Sequence, residues 1–67
     1  MADIYHMKMM EFQKSHPNYY YHTYVSSRDS ALSEARSLEQ ELKNIESKII
    51  YDKDSEKYYI YYRYKKS

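Results

Sequence analysis

A chain of 67 residues with a formal net charge of +1, no cysteine and no glycine leaves few options open. No disulfide or thiolate zinc site can form, nor can a glycine-rich phosphate loop, and so balanced a charge does not describe a protein that lives by contacts to the phosphates of duplex DNA. The length allows one domain, residues 1–67, and a domain this small hides only about 60% of the surface its unfolded chain exposes, so self-association is the expected supplement to its core.

No apolar run approaches the length of a membrane span or a signal-peptide core, which predicts a soluble, cytoplasmic protein with no membrane partner. The compositional outlier is tyrosine. It occurs eleven times, and never between Ser26 and Ile50. Tyrosine combines a flat apolar face with a polar tip, and it favours strands and binding surfaces alike.

Taken in chain order, Asp3 to Gln13 reads as a first strand. Ile4, Tyr5, Met7, Met9, Met10 and Phe12 make it apolar, but the alternation is imperfect, which implies two covered faces or a bulge. Lys14-Ser15-His16-Pro17-Asn18 is a turn. Tyr19 to Val25 is a second strand, expected to pair antiparallel with the first through that short connection.

Ser26 to Ile50 carries the clearest helical signal. Ala31, Ala35, Leu38, Leu42, Ile45 and Ile49 recur in alternating steps of four and three and draw one stripe, with charged and polar residues elsewhere. Ser26 and Asp29 have the spacing of a capping box. The helix is expected to run for about 23 residues, or about 35 Å, and to end between Ser47 and Ile50, with a short extra strand from Ile50 to Asp52 allowed. Its stripe could serve a coiled-coil seam, but its leading alanines favour packing on a sheet.

Asp52-Lys53-Asp54-Ser55-Glu56 is a charged turn, and Lys57 to Lys65 is the strongest strand. Together these elements predict an α+β fold: an antiparallel sheet of three to four strands with one long helix packed on one face (ββαβ), in an oligomer. Val25 and Ile60 are assigned to the helix side because their faces hold the β-branched residues. The other side then presents Tyr20, His22, Tyr24, Tyr59, Tyr61, Arg63 and Lys65, joined by His6 and Lys8 if Met7 and Met9 point at the helix.

That uncovered face is the candidate site. Bases stack on flat side chains, with each stack worth about 1–3 kcal/mol, while Arg63 and Lys8 would meet phosphates and His22 or a tyrosine hydroxyl would read base edges. An exposed tyrosine-rich sheet is equally at home against another subunit, and both readings stand. The histidines lack metal-ligand spacing, so no metal is expected. The acids lie on a helix surface or in a turn, and Ser26 and Ser27 are explained by capping, so no catalytic residue and no cofactor are assigned.

The segments His6-Met7-Lys8, Tyr19-Tyr20-Tyr21-His22-Thr23-Tyr24 and Tyr58-Tyr59-Ile60-Tyr61-Tyr62-Arg63-Tyr64 give the chain an architecture that resembles the small accessory proteins of bacteriophages. Among these it is similar in kind to the immune-evasion sponges that sequester cyclic oligonucleotide alarm signals. That resemblance implies a homo-oligomer binding a small cyclic nucleotide without cleaving it. The alternatives are a protein inhibitor that masks a host defence enzyme, and a single-strand nucleic-acid-binding module.

Overall fold

A computed structural model describes residues 3–65. The first strand, β1, spans only Asp3–His6, and the chain then turns into a short helix, α1, Met9–Ser15. Met, Glu, Gln and Lys are good helix formers, and Glu11 in the first turn and Lys14 in the last complement the helix dipole. Pro17 ends it, since the residue before a proline is pushed out of helical geometry. The expected strand to Gln13 is thus corrected to a strand followed by a helix. Met9, Phe12 and His16 hold the three- and four-residue steps of a helix, and Phe12 is fully buried.

Strand β2, Tyr20–Val25, lies close to its expected place. It does not pair with β1. The sheet order is β1-β3-β4-β2, so β1 and β2 are its two edges. β1 runs parallel to β3, whereas β3–β4 and β4–β2 are antiparallel, and the sheet is mixed where an antiparallel one was expected.

The central helix, α2, is Arg28–Glu41, 14 residues rather than about 23. Ser27, not Ser26, is its cap and accepts a hydrogen bond from the Ser30 N–H at 3.1 Å. Leu42 is extended, Asn44 takes a left-handed turn at φ 64°, and β3 follows at Ile45–Asp52. The extra strand therefore begins five residues earlier than Ile50 and is a full element. β4 is Lys57–Tyr64. The turn between them is held by Asp52, which accepts from the Asp54 and Glu56 backbone N–H groups.

Two cores form, one on each face of the sheet. On the α2 side, Ala31, Ala35 and Leu38 pack on Ile45, Ile49 and Ile60, and buried Ser47 donates to the Glu39 carboxylate. On the other side, Phe12 of α1 sits on Ile50 and Tyr61, its ring centroid 4.9 Å from that of Tyr61. The flank expected to be open is therefore closed at its centre by a helix that the sequence pattern concealed. No helix among the described residues is long and apolar enough to cross a membrane.

Candidate binding surface

The register of β2 decides which tyrosines share a face. Tyr21 pairs with Tyr61 and Thr23 with Ile60, which leaves His22 as the extra residue of a β-bulge. Alternation restarts after it. Tyr20 and His22 lie on the α2 side, where both rings approach Tyr62 (5.6 and 6.3 Å) and His22 Nε2 lies 3.7 Å from the Glu34 carboxylate. Tyr24 lies on the opposite face beside Tyr59, at 5.8 Å. The expected grouping of Tyr20, His22 and Tyr24 is thus split by the bulge.

Tyr59, Tyr61 and Arg63 do share the face away from α2, but only one of them faces solvent in a usable way. Tyr61 is 1% exposed beneath Phe12, and among the described residues its hydroxyl has no hydrogen-bond partner. The Gln13 side chain approaches it without closing a bond, and burial pushes the hydroxyl above its usual pKa. Arg63 forms an ion pair with Glu46 and lies over the Tyr19 ring, 5.4 Å from its centroid. The Arg63 hydrogen bond holds the Glu46 carboxyl below the usual carboxylate range, and Glu46 raises Arg63 in return. That guanidinium already has its anion. Lys48, nearby, donates to the Tyr5 hydroxyl at 2.9 Å, which raises its pKa.

His6 and Lys8 are elsewhere. They line a groove of about 340 Å³ with Met7, Tyr51, Glu11, Lys53 and Asp54, in which two lysines face two acids and Lys8 lies 3.6 Å from Asp54. His6 meets Tyr51 edge-on at 5.7 Å. The eight candidates thus occupy three places: the groove (His6, Lys8), the α2 side of β2 (Tyr20, His22) and the opposite face (Tyr24, Tyr59, Tyr61, Arg63).

The part of the opposite face next to the β2 edge forms a coherent surface. Tyr21, Tyr24 and Tyr59 lie side by side, with Tyr21 6.3 Å and Tyr24 5.8 Å from Tyr59, and Tyr21 and Tyr24 are about half exposed. Lys57 places its ammonium 4.6 Å from the centre of the Tyr24 ring, and among the described residues no carboxylate pairs with it. Ser55 meets the Tyr59 hydroxyl at 3.2 Å. The sequence reading missed Tyr21 and Lys57. Lys57 has the same strand parity as Tyr59 and could have been found by it, whereas Tyr21 became visible only with the bulge.

Flat rings beside an uncommitted cation can stack on a planar group and neutralise an anion. Desolvation first, then the neighbouring Tyr24 and Tyr59, raise the Tyr21 hydroxyl, and Tyr61 is raised as well. A nucleophilic or basic tyrosine needs the opposite shift. Among the described residues, no three His, Asp or Glu side chains converge as a metal site. No protein-family model matches this sequence, and neither a curated protein nor a solved structure matches it.

Proposed function

We propose that this chain is a small, non-catalytic binding protein that works in the cytoplasm as a homo-oligomer. Its Tyr21–Tyr24–Tyr59 platform takes up a cyclic nucleotide second messenger and withdraws it from signalling, in the manner of a phage sponge. The observation that supports this reading is the exposed trio of rings beside the unpaired Lys57 ammonium. Two base stacks contribute about 2–6 kcal/mol of the about 8 kcal/mol that micromolar binding needs, and the phosphate contact at Lys57 supplies part of the remainder. A long single strand is a poorer fit, because its affinity grows with the number of phosphates neutralised and the net charge is only +1.

The test is isothermal calorimetry of the full chain against a set of cyclic di- and trinucleotides. At least one member should bind at micromolar affinity or better. Lys57→Gln and Tyr59→Leu should each weaken it about tenfold, the size of one lost stack or charge contact, and Arg63→Gln should leave it unchanged. Absence of micromolar binding across the set, or a loss through Arg63 and not Lys57, would remove the reading.

A further inference from the structure

The two edges of the sheet are not equivalent. β1 has four residues, which is one way natural sheets blunt an edge. β2 has six, Tyr20–Val25, with no Asp, Glu, Lys, Arg or Pro among them. It lacks the charges and prolines that ordinarily keep an edge from pairing, and of the usual protections it has only the bulge at His22, which leaves the pairing weak. It is also flanked by apolar surface on both faces of the sheet: Tyr20 is 58% exposed on the α2 side, and Tyr21 and Tyr24 are 46% and 49% exposed on the other.

We propose that β2 of one chain pairs antiparallel with β2 of a second copy across a two-fold axis, joining two four-stranded sheets into one. The occupant follows from self-complementarity. In a two-fold pairing the strand meets itself, and an uncharged strand brings no like charges together, whereas a charged partner strand would gain nothing here. The three rings leave about 300 Å² of tyrosine surface exposed per chain. Doubled, that is well below the roughly 1,200 Å² of a tight interface, so the pairing is weak and reversible.

The seam also completes the binding surface, a consequence that rests on the proposed function above. Adjacent strands lie about 4.8 Å apart. Tyr21 and Tyr24 of each copy would therefore adjoin those of the other, extending one platform into a two-fold pair with a Lys57 on either side. A ligand with two bases and two phosphates matches that symmetry.

Light scattering and sedimentation of the ligand-free chain, from low micromolar to submillimolar concentration, should show a monomer–dimer equilibrium. Tyr20→Lys, which sits off the platform, should weaken the dimer about tenfold, because in the register that sets Tyr21 against Tyr24 of the other copy it places a hydrated charge against Val25 at each end of the seam. Hydrogen exchange on the unmodified chain decides the point even if that variant folds poorly. Amides of β2 should gain protection as concentration rises, and those of β1 should not. A monomer at every concentration, or a dimer whose β2 protection is independent of concentration, overturns the pairing.

Calorimetry on Tyr20→Lys separates the two ideas. A monomer that binds cyclic nucleotide as tightly as the unmodified chain keeps the platform and refutes the shared seam. A concentration-dependent dimer with no affinity for any nucleotide keeps the pairing and refutes the ligand.

Discussion

Tyr61→Phe should make this protein more stable, and the sign of that effect tests the α1-side core. The ring is 1% exposed, packed against Phe12 at 4.9 Å, and its hydroxyl makes no hydrogen bond among the described residues. Leaving a buried hydroxyl unpaired costs about 1–3 kcal/mol. The nearby Gln13 side chain softens that penalty, which places this case at the low end. Phenylalanine fills the same space less one oxygen, so no cavity of consequence is left behind. The expected gain is about 1 kcal/mol, or about 4–8 °C in Tm for a domain of this size. Urea unfolding followed by circular dichroism measures it, with an unchanged m-value confirming that the unfolded state is not the cause. Where a tyrosine hydroxyl is properly bonded, its removal lowers stability by about 1 kcal/mol. A loss of that size here would mean that the hydroxyl has a partner, and the picture of a sealed ring under α1 would be wrong.

Phe12→Ala removes the fully buried anchor of α1 and should cost about 3–5 kcal/mol. That is a large share of the stability expected of 67 residues, so thermal melts should show a collapse in Tm or no transition, and Phe12→Leu should recover most of the loss. Glu56 holds φ at 57° in a chain without glycine, and Glu56→Gly should raise stability by about 1 kcal/mol in urea titrations. The Glu46 carboxyl has a folded pKa below its unfolded value near 4.5, so the stability it contributes is present above that value and is lost as pH falls through the folded pKa. Glu46→Gln should accordingly flatten the acid limb of a stability-versus-pH curve, and an unchanged limb would show that the pairing with Arg63 does not survive in solution.

The core was more legible than the backbone that carries it. Ala31, Ala35, Leu38, Ile45 and Ile49, five of the six positions in the apolar stripe, are all buried in one cluster. Yet only the first three are helical. The reason is arithmetic: a step of four is about one helical turn, and it is also two strand repeats. Ile45 and Ile49 therefore face the same core as a helix or as a strand with Ser47 between them. The β-branched side chains at Ile45, Ile49 and Ile50 tip the choice, and Asn44 provides the left-handed turn that the change of direction needs. At the other end, the methionines around Phe12 suit either periodicity, and only the burial of Phe12 against Ile50 and Tyr61 selects the helix.

The candidate site was legible in residue type and not in arrangement, and one bulge accounts for most of the difference. A single extra residue at His22 reverses the side on which every following residue of β2 projects relative to the preceding ones. Without it, Tyr20 and Tyr24 would share a face and Tyr21 would lie under α2. With it, Tyr21 and Tyr24 flank Tyr59 on one face, while Tyr20 and His22 are left on the other. Because Tyr20 and Tyr21 are consecutive, β2 carries exposed tyrosine on both of its faces. A strand with apolar surface on one side alone can be shielded by a single helix, but here neither helix covers Tyr20, Tyr21 and Tyr24. The bulge gathers the platform tyrosines beside the free edge of the sheet, so the proposed binding surface and the proposed seam adjoin one another.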